Sequence, residues 1–439
     1  MNKKSMDLTK KSRWSWYFYD FGNSAYASVV LLAVYSAYFK NVVVGGAEGT
    51  RLWGISVGIA AIIVAIVSPV FGTIADFTKS KKRFLILFTA ISVVFTGLLF
   101  FVGEGDVTLG IIFFIIAEIG YRAAQVFYDA LLTDVSTPET IGSVSGKGWA
   151  IGMVGGIVAL LIVLVPIQVL GNDFIHWSFL ITAVIYLVSS IPTFLWVDEK
   201  QTTAQVKADR HTIRLAFTKL AETFRDVRNY KEFIKYMIAF LIYNDGIMML
   251  MDFAAIIGAT LFGMEQIQLI IFVILIQISG AFGALLFGRI ADRKSSKDAI
   301  LLSLVILVAS LTGLFFISNI IWFYIIGFIA GFALSGAQAV SRTMVSQLAP
   351  SNKTAEFYGF LSVAGRTSTF VGPLVFGTIS YRAHNWYVNH GFDAVTAEHN
   401  GLLWAIGSII AFLIIGAFIL LIVKRVSAKE PINYQQDKS

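Results

Sequence analysis

Residues 71–82 read FGTIADFTKSKK and residues 287–298 read FGRIADRKSSKD, so Phe, Gly, Ile, Ala, Asp, Ser and Lys recur in register at a displacement of 216. Each stretch follows a long apolar run and ends in basic residues. A second echo places AAQ at 123–125 over GAQ at 336–338, a displacement of 213. Two parallel six-helix repeats explain both echoes, and in such architectures the substrate site lies near the bilayer midplane between the halves.

The rest of the chain agrees. Of 439 residues, 57% are hydrophobic and only 14% charged, and the mean hydropathy is +0.76. The apolar runs reach about 20 residues, enough to cross ~30 Å of hydrocarbon as helix, whereas barrel strands would be half as long and alternating. The predicted fold is therefore an all-α polytopic membrane protein with twelve transmembrane helices in two six-helix pseudo-repeats. The spans are expected at 16–39, 52–76, 84–102, 107–128, 148–170, 175–197, 233–261, 266–288, 299–318, 320–344, 355–380 and 400–423. The first is too long for a signal-peptide core and is expected to be retained. Zero cysteines exclude disulfides and thiolate chemistry.

The net charge of +7 reflects topology. When the tails and even-numbered loops are assigned to one side, that side holds 29 of the 34 Lys and Arg residues. The opposite loops hold Lys40, Arg51 and Arg382, and Arg122 and Arg366 lie inside spans. The positive-inside rule makes both termini cytoplasmic, with a plasma-membrane location expected. Nothing in this distribution points to nucleic acid; the partners expected are the lipid bilayer, a small-molecule substrate and protons, with the chain acting as a monomer. The halves are 1–197 and 233–439. The polar linker between them, 198–232, carries Ile213, Phe217, Leu220, Phe224 and Val227 at helical spacing, which suits an amphipathic helix on the inner membrane surface or a solvated helix packed on the protein.

Gly72 to Asp76 and Gly288 to Asp292, each followed by basic residues, resemble the signature loop of the major facilitator superfamily, where it forms a cytoplasmic gate. The first copy has Phe77 where Arg is usual and Lys79 where the second Gly is usual; the second keeps Arg293 but has Ser295 and Ser296. The ordered set YDFGNSAYA, FYDALLTDV, SGKGWAIGMVGG, YNDG, GAQAVSRTMVSQLAP and AEFYGFLSVAGRTSTFVGP is similar to the branch containing vacuolar amino-acid effluxers linked to autophagy and their bacterial relatives. That resemblance implies secondary transport, with amino acids as the substrate class.

Four polar residues of the fourth span, Glu118, Arg122, Gln125 and Asp129, fall at i, i+4, i+7 and i+11 on one helical face. A charge at mid-membrane costs about 2.5–3.5 kcal/mol on insertion scales, so these side chains should face partners or water. They are expected to line a cavity, with Glu118 titrating and Arg122 meeting an anionic group; the alternative is a structural Glu118–Arg122 pair. At the repeat displacement Gln125 maps to Gln338 and Asp129 to Arg342, and the last two are expected at the inner rim as gate or interface charges.

The seventh span contributes Tyr243, Asn244 and Asp245 near mid-depth, beside Gly246, which can loosen the helix locally. Asp245, Met248, Met249 and Asp252 share a face; the methionines suit hydrophobic substrates or ordinary core packing. Asp245 and Glu118 are the candidate proton carriers. Arg366 of the eleventh span is expected to pair with Asp245 or with a substrate carboxylate, unless it forms a structural ion pair. The Gly-rich stretches at 152–156 and 371–373 offer kinks and close helix approach.

In the first span, Asp20 lies among Trp14, Trp16, Tyr17 and Tyr19, a composition typical of an interfacial belt. Asp20 is placed at the cytoplasmic rim of the pathway with Gly72, Asp76, Gly288, Asp292 and Arg293 as further gate candidates; Asn23 and Tyr26 are placed deeper.

GSVSGKG at 142–148 is one residue short of a phosphate-binding loop and has Gly148 after Lys147, so nucleotide-driven pumping is excluded. The five histidines, His176, His211, His384, His390 and His399, fall in predicted loops without a His-Glu-x-x-His pair. His384 and His390 with Asp393 and Glu398 are more economically a solvated loop than a metal site, and no metal, cofactor or enzymatic activity is expected. The expected function is alternating-access secondary transport, proton-coupled, with amino-acid efflux as the substrate reading. A passive uniporter, a transport-inactive receptor or scaffold, and a lipid translocase are the alternatives.

Overall fold

The computed structural model describes residues 3–78, 80–136, 141–199, 230–348, 365 and 370–425. They form helices α1 (Lys3–Tyr26), α2 (Tyr35–Tyr38), α3 (Gly46–Thr78), α4 (Lys81–Leu98), α5 (Val107–Ala130), α6 (Leu132–Val135), α7 (Ile141–Leu170) and α8 (Ile175–Trp196). After the linker come α9 (Lys231–Phe262), α10 (Gln266–Arg293), α11 (Ser296–Gly313), α12 (Ile320–Leu348), α13 (Val371–Asn389) and α14 (Ala394–Ile422). Among the described residues eleven helical segments are long and apolar enough to cross a membrane. The expected eleventh span, 355–380, begins outside the described residues; its described part, α13, runs nine residues past 380 and carries His384 in a helix instead of a loop. The linker helix expected at 213–227 also lies outside the described residues.

The chain divides into two compact units, Met1–Gly49 with Ile59–Thr218, and Thr50–Gly58 with Lys219–Ser439. In the first, α1 packs against α7 and α8, α4 against α5, and α4 against α8. In the second, α9 packs against α13 and α14, α11 against α12, α11 against α14, and α10 against α12. The beginning of α3 belongs to the second unit: Trp53 donates its indole N–H to the Asp252 carbonyl at 2.8 Å, and a Cβ on Gly54 would overlap the Pro373 carbonyl.

Beside a buried apolar core, many large apolar side chains face outward, as lipid allows, and charges within the spans are buried. Phe316 is 83% exposed and Val169 75%, whereas Glu118 is fully buried.

The first span corrects the expectation most. It runs from Lys10 to Val44, not 16–39. Past Tyr26 the backbone is π-helical over Ala27–Ala33 and Phe39–Val44, with i→i+5 bonds such as Val34 N–H to Val29 O at 2.8 Å and Gly45 N–H to Lys40 O at 2.9 Å. Gly45, at φ 87°, ends it in a conformation that an L side chain would resist.

The expected aromatic belt is mostly core. Trp14 is exposed, but Trp16, Tyr17 and Tyr19 are buried. Trp16 stacks on Tyr128 at 4.3 Å and donates to the Tyr128 carbonyl at 3.0 Å. Tyr19 bonds Thr89 at 2.7 Å and Tyr186 at 2.9 Å. The polar tips of Trp16 and Tyr19 have partners, which lets these rings leave the interface.

The expected loosening at Gly246 is also corrected, because α9 is continuous through it. Its missing side chain serves packing: a Cβ there would lie 3.1 Å from Leu413 of α14, and one on Gly416 of α14 would lie 2.6 Å from the Tyr243 Cβ. Small residues at such crossings let helix backbones approach.

Candidate functional site

Each unit has a buried polar centre of its own. In the first, Glu118 of α5 has both oxygens engaged. Oε1 accepts from Arg122 Nε one turn along the same helix, and Oε2 accepts the Tyr26 hydroxyl of α1 at 3.0 Å. Tyr26 stacks on Tyr121 at 4.5 Å. The predicted i, i+4 pair thus exists within α5, and what ties the helices together is Tyr26. Gln125 and Asp129, further along, are half-buried.

Tyr26 shares its face of α1 with Asn23, which is 3% exposed and whose Oδ1 has no hydrogen-bond partner among the described residues. Asp20 and Ser24 press on α7, where a Cβ on Gly152 would lie 2.9 Å from Asp20 Oδ2 and 2.8 Å from Ser24 Oγ. A Cβ on Gly155 would overlap the Phe21 carbonyl, so this Gly-rich stretch provides the close approach expected of it.

The second unit centres on α9. Tyr243 bonds the Ser341 hydroxyl of α12 at 2.7 Å, and Tyr236 donates to the Ser341 carbonyl at 2.8 Å. Asn244 Oδ1 accepts from Gln338 Nε2 at 3.0 Å, which joins two predicted site residues. Asp245 is 4% exposed. Its carboxylate takes a backbone hydrogen bond from Gly372 at the start of α13, while Oδ1 has no partner among the described residues. Met249 and Asp252 on the same face are buried. Arg366, the expected partner of Asp245, lies outside the described residues.

Of the gate candidates, Arg293 and Arg342 are exposed, and a Cβ on Gly288 would meet nothing within 4 Å. Gly72 and Asp76 lie near the end of α3 and Asp292 near the end of α10, and the surroundings of the two carboxylates lie outside the described set. Beyond these two loops the structural register departs from the sequence register. Ser80 directly precedes α4 and Ser295 directly precedes α11, a displacement of one residue less than 216. Lys82 therefore matches Lys297, and they do the same thing. Lys82 Nζ donates to the Val197 carbonyl at 2.9 Å, just past α8, and Lys297 Nζ donates to Leu421 and Val423 at the end of α14, at 2.6 and 2.5 Å. Helix C-termini present unpaired carbonyls and partial negative charge, which a lysine satisfies. This role was missed because the displacement of 216 aligns Lys297 with Lys81.

Among the described residues no group of three or more His, Asp or Glu side chains is arranged to hold a metal ion. His176 lies in α8 and His399 in α14, not in loops. Asp393 caps α14, accepting from the Val395 and Thr396 N–H groups at 3.1 and 3.0 Å; the Thr396 side chain first, and then these backbone bonds, hold its carboxyl below the usual range.

The family model described as "Vacuole effluxer Atg22 like" matches residues 52–141 and 135–395. An uncharacterized MFS-type transporter of Bacillus subtilis, YxiO, is 28% identical over 438 residues, covering 96% of this chain and 97% of that protein. Autophagy-related protein 22 of Yarrowia lipolytica is 27% identical over 280 residues, covering 57% of this chain and 47% of that one. Among solved structures, a bacterial homologue of the human lysosomal transporter Spinster superposes with a TM-score of 0.69 at 13% identity, covering 99% of both chains. The nucleoside transporter NupG superposes at 0.68 with 14% identity, covering 94% of this chain and 99% of its own. At such identities these structures establish the fold alone.

Proposed function

The chain belongs to the family of vacuole effluxer Atg22-like proteins and is a membrane transporter of the major facilitator type, and from that premise we propose that it carries small solutes by alternating access coupled to a proton gradient through Asp245. Its two units act as the two moving repeats. Both termini are cytoplasmic, on the strength of the Lys and Arg asymmetry.

The observation that carries this reading is that Asp245 Oδ1 has no partner among the described residues. A buried carboxylate is stable only when something meets it; Arg366 lies outside the described residues, and the proposal assigns the role to a proton or a cationic group of the substrate. Glu118 is already met by Arg122 and Tyr26. Asp245 is thus the exchanging group and Glu118 part of the framework. Amino acids are the proposed substrate class, in keeping with the effluxer description of the family.

The test is uptake of a mixed metabolite panel into proteoliposomes, with and without an imposed pH gradient, read by mass spectrometry. Accumulation of amino acids that follows the gradient supports the proposal. Equilibration without accumulation identifies a uniporter; no movement of any solute under either condition identifies a scaffold.

A further inference from the structure

At the odd-loop end of the second unit, α13 and α14 border a cleft of about 250 Å³ lined by Ala383, Trp386, Tyr387 and Trp404. Residue spacing creates it. Trp386 and Tyr387 follow Ala383 at i+3 and i+4, so a small side chain leaves room beneath two large ones. Those two rings stand 5.0 Å apart at 89° and wall two sides. Trp404 of α14 supplies a third, and its indole N–H donates to the Tyr387 hydroxyl at 3.3 Å, which ties the helices together across the cleft. His390 braces Trp386, its ring stacked at 4.0 Å and its Nδ1 2.7 Å from the Trp386 carbonyl.

We propose that this cleft binds the ammonium headgroup of a zwitterionic phospholipid from the surrounding leaflet. Aromatic faces carry partial negative charge, and rings converging from several sides form the usual receptor for a substituted ammonium. The same helix already uses this chemistry, since the Arg51 guanidinium lies 4.7 Å from the ring centre of Tyr381. The lipid phosphate has a counterpart in Arg382, which is exposed and precedes Trp386 by one turn on the same face of α13. Arg382 is farther from the helix end than Trp386 and so deeper in the membrane, the order in which a phospholipid presents phosphate and ammonium. Trp386 is 54% and Trp404 62% exposed, and the connection between the two helices exposes Val388, Phe392 and Val395. Such a surface belongs at the bilayer interface, where the available ammonium is that of a lipid and not of a dissolved amine. Interfacial anchoring alone needs no cleft; Trp322, exposed at the start of α12, is the comparison within this chain. The site is separate from the polar centre on α9 and independent of the transported solute.

Native mass spectrometry of the full chain in detergent, titrated with dioctanoyl phosphatidylcholine, phosphatidylethanolamine or phosphatidylglycerol, tests this without knowledge of the substrate. The first lipid bound should bind about tenfold more tightly with either ammonium headgroup than with glycerol, the scale of one well-desolvated cation–π contact. Trp386→Leu and Trp404→Leu should each cut that preference severalfold and together abolish it. Ala383→Leu keeps all three rings and fills the cleft, so it should abolish the preference too, and it serves if a tryptophan variant folds poorly. Arg382→Gln should weaken all three lipids, which share the phosphate, and keep the preference. Trp322→Leu should change nothing. The proposal fails if the wild type shows no preference, or if the preference survives in the folded double tryptophan variant or in folded Ala383→Leu. It fails equally if Arg382→Gln leaves all three lipids unaffected, or if Trp322→Leu removes the preference as a general interfacial belt would. Displacement of the bound lipid by an equal concentration of tetramethylammonium would assign the cleft to a free amine and overturn the lipid.

Discussion

Glu118 and Asp245 are both carboxylates buried within spans, and the two units treat them oppositely. Around Glu118 the first unit supplies a cation one turn away and a phenol from a neighbouring helix, filling both oxygens. Around Asp245 the second unit supplies a backbone N–H from Gly372, and among the described residues nothing meets Oδ1. Glu118 is thus closed off within its own unit, whereas on the proposed function Asp245 is the carboxylate that a proton or substrate closes. Glycine crossings and the loop lysines are alike in the two units, whereas the polar centres differ.

The sharpest way to break this contrast is to neutralise each carboxylate separately. Asp245→Asn should leave the folded protein intact, since the amide replaces an incompletely paired charge, yet reduce gradient-driven accumulation to that of protein-free liposomes. Glu118→Gln should retain gradient dependence to the extent that the protein folds. If Asp245→Asn accumulates solute normally, the division of roles is wrong.

The next largest effect is on stability. Arg122→Met strands Glu118 in a fully buried position, and breaking a buried pair from one side costs about 3–5 kcal/mol. Thermal unfolding in detergent should fall steeply. Removing both charges, as Glu118→Gln with Arg122→Met, should recover most of the loss, because an uncharged pair has no partner to miss. Asp245→Asn should show no such fall, and measuring the two side by side turns the contrast into a number.

Glycine packing should respond alike in the two units. Gly155→Ala drives a methyl into the Phe21 carbonyl and Gly416→Ala drives one into Tyr243. Each should destabilise by about 1–3 kcal/mol, the usual range for overpacking. A large effect in one unit only would show that the units differ in rigidity as well as in charge.

Much of the architecture could be read from the chain alone, because lipid requires a run of about 20 apolar residues for every crossing. The errors have physical causes. Trp16, Tyr17 and Tyr19 were expected at an interface because belts and buried aromatic clusters share a composition; the spacing of Trp16, Tyr19, Asn23 and Tyr26 on one helical face was the available signal that they point inward. Glu118, Arg122, Asn244, Gln338 and Asp245 were found because polar residues inside apolar runs are conspicuous. Which of them are satisfied was not legible, since Tyr26 and Gly372 reach them from distant parts of the chain. The π-helical course of the first span leaves no mark in residue type.

The smallest effect tests the one feature that pattern matching misaligned. The sequence echo at 216 pairs Lys81 with Lys297, but the helix starts at Ser80 and Ser295 pair Lys82 with Lys297, and these two reach the carbonyls past α8 and at the end of α14. Lys82→Met and Lys297→Met keep the aliphatic stem and remove the charge. Each should cost about 1 kcal/mol, the scale of a cation at a helix C-terminus, with comparable shifts in thermal unfolding and little change in transport. Lys81→Met should cost less, because Lys81 makes a partly exposed ion pair with Asp134 at 3.5 Å, and such pairs contribute little. Were Lys81→Met the costlier change, the register drawn from the helix starts would be refuted in favour of the one drawn from residue identity.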